Sequence, residues 1–124
     1  DPTRRAGADV VAMAEAAAGT RIAALVVAET EALTWVGRCE PGDVLGIADG
    51  EVVLIAPDLP VGALWLAHRM LLGGGEIVTA LLGAGTDAAL AEGLAADLRR
   101  SHPEVDVVVH RGGHTDYPLV LGVE

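Results

Sequence analysis

Two almost uninterrupted apolar runs, Ile77 to Leu82 and Val105 to Val109, bracket a stripe of leucines at Leu90, Leu94 and Leu98. Runs this short suit strands, while the four-residue spacing suits a helix with Glu92, Asp97, Arg99 and Arg100 on its opposite side. Pro103 ends that helix. Strand–helix–strand in this order calls for a crossover connection and parallel pairing. Apart from Thr79 and Asp106, both runs are apolar at every second position and between, as in strands covered on both faces.

The same grammar extends upstream. Arg21 to Glu29 reads as a strand, Leu33 to Arg38 as a second short one, and Pro41-Gly42 as a turn. Val44 to Ala48 and Glu51 to Ala56 flank Asp49-Gly50, a pair suited to the positive φ angles of a type I′ hairpin. Asp58 is placed to cap a helix, with Pro60 in its first turn. Val61, Leu64, Trp65, His68 and Leu72 recur at helical spacing until Gly73-Gly74-Gly75. Leu119 to Val123 follows a short polar loop, so it should pair antiparallel, at an edge entered through Tyr117-Pro118.

The expected fold is therefore α/β: a β-hairpin followed by a β-α-β-α-β unit, with a mainly parallel, mixed sheet and a C-terminal antiparallel strand. Residues 19–124 form one α/β domain, and residues 1–18 an alanine-rich helix or the remnant of a preceding region. Crossovers of one hand put both later helices on one side of the sheet. The other side then needs the first helix, the hairpin or a partner to cover it.

Composition removes several functions. The charge is −10, every basic residue is arginine, and aromatics are 2% of the chain. Nucleic acid and anionic membranes both require positive charge, and stacked bases require aromatic platforms. No run approaches the ~18 apolar residues of a membrane span. A lone Cys39 excludes an internal disulfide framework and suits a reducing cytoplasm. The absent initiator methionine fits a piece of a longer protein.

Candidate chemistry is sparse. Gly83, Gly85 and Ala88 match the spacing of a dinucleotide-binding turn. However, Asp87 sits at the helix entrance, where it would cap the free N–H groups and repel a phosphate. The partner acid expected after the next strand is replaced by His110-Arg111-Gly112, and the chain holds one mononucleotide half. His110 and His114 have metal-ligand spacing with Cys39 as a third donor, but Gly112-Gly113 between them argues against a shared helical face. No metal ligand set is assigned. His102 falls at a helix end, and His68 is read as a satisfied border residue. Ser101, the only serine, has no neighbouring base, and no paired carboxylates stand out. No catalytic residue is assigned. The loop Arg111 to Pro118 is the most distinctive polar stretch: Gly112, Gly113 and Pro118 shape it, while Arg111, His114 and Tyr117 are contact material.

At this tail the chain resembles a known family. The stretch HRGGHTDYPLVLGVE is similar to the C-terminal end of the A-subunit family of bacterial fatty acid kinases, which are dihydroxyacetone-kinase-like (DhaL-domain) proteins. Gly112, Gly113, Tyr117, Pro118, Gly122, Val123 and Glu124 carry the likeness. EPGDVLGIADGEVVLIAPDL and GGEIVTALLGAGTD add to it, so that it covers roughly Gly19 to Glu124. Two departures are His114-Thr115-Asp116, where the family has a Gln-Pro pair and one more residue, and Leu119 in place of a common tyrosine. The resemblance implies a natural C-terminus at Glu124. It implies a non-catalytic docking domain for the acyl-carrying, fatty-acid-binding subunit, for which the loop's own chemistry offers Arg111, His114 and Tyr117 as contacts. It places ATP and magnesium in the parent's N-terminal domain, with no cofactor in this fragment, and the protein in the cytoplasm. Two alternatives stay open: a small-ligand or nucleotide-binding enzyme domain using the Gly83–Gly85 turn and the Arg111–His114 loop, and a self-associating module that forms a homodimer.

Overall fold

The computed structural model describes residues 20–114 and 116–124. The expected alanine-rich helix at residues 9–18 lies outside them. The elements are β1 (Arg21–Val27), β2 (Ala32–Thr34), β3 (Gly37–Cys39), β4 (Val44–Ala48), β5 (Glu51–Ala56), α1 (Leu59–Leu71), β6 (Ile77–Leu82), α2 (Ala88–Ser101), β7 (Asp106–Arg111) and β8 (Leu119–Val123). Six strands form one mixed sheet in the order β5-β4-β1-β8-β6-β7, and β2-β3 make a separate ribbon.

The mixed α/β class follows the expectation, with a refinement of the pairing. β5, β1, β6 and β7 run in one direction, yet among the described residues β6–β7 is the one parallel pair of this sheet; its other four pairings are antiparallel. The cause is β8. It enters between β1 and β6, antiparallel to both, and separates strands that would otherwise be parallel neighbours. Its expected edge position is therefore corrected to the centre of the sheet. All five of its residues are buried, which an apolar sequence with no charged side chain permits at little desolvation cost. β7 takes the edge instead, and Val108 and Val109 are exposed there rather than covered on both faces.

The hairpin β4–β5 turns through Asp49 (φ 54°) and Gly50 (φ 76°), the type I′ geometry that Asp-Gly favours. The second short strand expected at Leu33 to Arg38 is instead two strands folded back on each other around Trp35-Val36. Thr34 drives this reversal: its hydroxyl accepts from Val36 N–H at 3.2 Å and donates to the Gly37 carbonyl at 2.7 Å.

Both described helices lie side by side on one face of the sheet, α1 over β1, β4, β5 and β8, and α2 over β6 and β7. Asp58 and Asp87 cap them, accepting from Val61 N–H and Ala89 N–H respectively. α2 buries Leu90, Leu94 and Leu98 as expected. α1 does not bury the expected stripe. Its inner face is Gly62, Ala63, Leu66, Ala67 and Met70, whereas Trp65 is half exposed and Leu72 is exposed. Small residues win because the helix rides close to the strands: a Cβ on Gly62 would stand 2.8 Å from Val44 Cγ1. Arg21 of β1 closes the far end, its guanidinium donating to the carbonyls of Met70 and Gly74. On the second face neither helix is present, yet Ala24 and Val120 are buried and Ile22 and Leu81 half-buried. That face is therefore at least partly covered.

Candidate functional site

Strand direction gathers the unusual loops at one edge. Leu25, Leu119, Leu82 and Arg111 lie in one row across the sheet. Beyond that row stand the β2–β3 arm, the start of α1, the Gly83–Asp87 turn and the Arg111–Pro118 loop. Carboxyl ends of co-directional strands are where α/β sheets place their functional loops.

The glycine turn is bound into the protein. Gly83 N–H donates to the Pro118 carbonyl at 2.9 Å, Ala84 N–H to His114 O at 2.8 Å and Thr86 N–H to Gly83 O at 3.1 Å. The Thr86 hydroxyl also donates to Pro118 O. Asp87 takes the helix entrance as a cap. The N–H groups of Gly83, Ala84, Thr86 and Ala89 are thus already donated, and a carboxylate caps the helix entrance where an anion would sit. Gly85 adopts φ 83° and completes a tight turn.

Arg111 leaves the end of β7 and spans this turn, donating to Gly83 O at 3.1 Å and Thr86 O at 2.7 Å. It braces the loop from within. His114 is 1% exposed, packed so tightly against Gly112 that a Cβ there would overlap its ring. Neither of its ring nitrogens has a hydrogen-bond partner among the described residues. Tyr117 and Pro118 are half-buried. Arg111 and His114 therefore share one scaffold with Gly112, while Tyr117 retains surface. Asp49-Gly50 lies at the opposite end of β4 and takes no part.

The sequence reading missed the arm. Leu33 and Trp35 are 82% and 84% exposed, and Val36 is half exposed beside them. Trp35 is one of two tryptophans in a chain nearly without aromatics. An apolar turn, T-W-V-G, interrupting a strand-like run was the available signal. At the arm's base, Cys39 is buried, with Sγ 3.9 Å from Thr30 O. Glu29, Glu40 and Asp116 are exposed around this edge, and the arm's Arg38 is neutralised by Glu31 at 2.6 Å. The edge therefore combines an apolar tip with an acidic surround.

Between the helices, Leu59, Leu64, Leu90 and Leu94 line an apolar groove of about 510 Å³. Its Asp97 is held by Arg100 and His68, and its Asp87 caps α2. Among the described residues no group of three or more His, Cys, Asp or Glu converges as a ligand set. No described helix is long and apolar enough to cross a membrane.

Fold and edge together define a mixed α/β domain whose distinctive surface is an apolar arm rather than a preformed polar cleft. The chain matches the FakA-like C-terminal family, the C-terminal domains of fatty acid kinase A-subunit-like proteins, over residues 1–124, its whole length, and belongs to that family. None of the curated proteins compared with it matches significantly.

Proposed function

We propose that this domain docks the acyl-carrying, fatty-acid-binding subunit of a two-component fatty acid kinase, so that a separate ATP- and magnesium-binding domain of the parent chain phosphorylates the bound acid. The observation that supports this reading is the exposed cluster Leu33, Trp35 and Val36 at the tip of the β2–β3 arm. Large apolar side chains held away from a domain's own core lose their contact with water only when a partner covers them. Tryptophan at such a position is the usual centre of binding energy. The acidic surround suits a basic rim on the partner and speeds encounter. Tyr117 extends the contact, while Arg111 and His114 act from behind by fixing the loop that carries it. The reading places the protein in the cytoplasm.

Titration of the purified acyl-loaded partner into this domain, followed by calorimetry, tests the reading. Saturable binding that Trp35→Ala weakens at least about tenfold is expected. No heat from a folded domain, or equal affinity in the variant, overturns it. Light scattering on the domain alone separates a homodimer formed through the same arm.

A further inference from the structure

The sheet face that carries neither described helix has a burial pattern of its own. Ile47, Ala24, Val120 and Leu81 lie side by side across it, on four neighbouring strands. Ala24 and Val120 are 8% and 2% exposed, yet neither belongs to the continuous core beneath α1 and α2. Ile47 and Leu81, one strand further out on each side, are half-buried, and on β7 Val108 and His110 are exposed. Burial therefore peaks over β1 and β8 and falls away in both directions. A helix is about 10 Å across and strands are about 4.8 Å apart, so one helix laid along β1 and β8 gives that profile. A broad partner surface would bury β7 as well.

Among the described residues nothing supplies such a helix: α1 and α2 lie on the opposite face, and the β2–β3 arm stands beyond the end of the sheet. Thr20, where the described chain begins, does reach the face. A Cβ on Gly122 would meet Thr20 Cγ2 at 3.1 Å and Ile22 Cδ1 at 3.3 Å. Gly122 pairs with Ile22, two residues along from the Ala24–Val120 pair, so all of these point to the helix-free side. The Thr20 hydroxyl donates there to Glu124 Oε2 at 3.2 Å. The chain therefore enters β1 from the side that needs a cover.

We propose that residues 10–18 form a helix packed along β1 and β8 on this face. Their sequence, VVAMAEAAA, carries Val10, Met13, Ala14 and Ala17 at one-face spacing and puts Glu15, its only polar residue, on the other side. Asp9 is placed to cap the start and Gly19 to end it. At 1.5 Å per residue this helix is about 13 Å long, the span of about four residues of strand, which reaches from Ile22 to Leu25. Ala24 and Gly122 make the floor beneath it shallow, and small side chains on both surfaces allow close approach. Gly19 alone joins the helix to Thr20, so docking is intramolecular and outcompetes a separate molecule of equal affinity. The helix runs antiparallel to β1, back toward the edge that carries the arm. With the second face taken, a partner subunit is left the arm edge and the outer side of α1 and α2.

Nuclear Overhauser spectroscopy of the whole chain tests this. The Met13 methyl should show cross-peaks to the methyls of Val120 and Ala24, and these should persist when labelled chain is diluted into unlabelled chain. Absence of the cross-peaks overturns the proposal, as does their loss on dilution, which would assign the cover to a second copy. Met13→Asp should lower the thermal midpoint by about 4 °C or more and raise the fluorescence of a dye for exposed apolar surface at least about twofold. Ala12→Asp, on the outer side of the same turn, should change neither. Equal effects of the two substitutions overturn the packing. Should Met13→Asp fail to fold, the wild-type cross-peaks decide alone.

Discussion

The carbonyl oxygen of Tyr117 stands where a side chain on residue 83 would begin, so that any Cβ at Gly83 overlaps it. This contact lets Gly83 N–H reach the Pro118 carbonyl and ties the β6–α2 turn to the start of β8. Gly83→Ala should lower stability by about 3 kcal/mol, because backbone rather than a flexible side chain must move. Urea unfolding read by circular dichroism checks this, with an unchanged midpoint as the contrary result.

Arg111 reaches two carbonyls, Gly83 O and Thr86 O, with one planar fork. A lysine ammonium is a point charge and cannot reproduce that span. Arg111→Lys should therefore cost about 1 kcal/mol, and Arg111→Met about 1–2 kcal/mol. Hydrogen exchange should show the Gly83–Asp87 amides losing protection first in both variants. Uniform loss of protection across the sheet would assign Arg111 a different role.

The two helix caps act at separate helix entrances, with no shared partner. Asp58→Ala and Asp87→Ala should each destabilise by about 1 kcal/mol and add in the double variant. Chemical denaturation of the three variants measures the sum. A large departure from additivity would show that the helices begin as one cooperative unit.

Trp35→Ala and Leu33→Ala should leave stability within about 0.5 kcal/mol, since both side chains are largely exposed. The same changes should weaken capture of the acyl-loaded partner, most strongly for Trp35. Paired melting and calorimetry experiments separate the two effects. A fall in melting temperature that matches the loss of binding would turn the arm into a structural element.

Charge at the edge makes a kinetic prediction. Glu29→Lys together with Glu40→Lys should slow association with that partner while changing dissociation little. Raising salt should slow the wild-type association and narrow the gap between the two proteins. Stopped-flow mixing at several salt concentrations gives both rates.

Much of the fold was legible wherever chemistry is local. Asp49-Gly50 announced its hairpin, Asp58 and Asp87 their helices, and Leu90, Leu94 and Leu98 the inner side of α2. Non-local choices were less accessible. Leu119 to Val123 reads alike at an edge or in the middle, because apolar composition sets burial but not neighbours. In α1 both sides carry apolar residues. Ranking them by size selects Trp65 and Leu64, whereas close approach to the strands selects Gly62, Ala63 and Ala67. His114 read as a surface residue because polar loops usually face water, but its loop folds back over the β6 turn. The arm was hidden by a turn without Gly-Asn or Asp-Gly at its apex. The hydrogen bond between the His68 and His102 rings joins residues 34 positions apart in the chain, which no spacing rule detects.

The central place of β8 sets an order of events during synthesis. One half of the sheet, β5-β4-β1, and the other, β6-β7, share no strand-to-strand hydrogen bonds until β8 arrives. A nascent chain on the ribosome can complete its hairpins and its crossover, but it carries two open seams until Val123 has left the exit tunnel. A chain interrupted before β8 would expose those seams to other unfinished chains, which makes this strand the quality-control point of the domain.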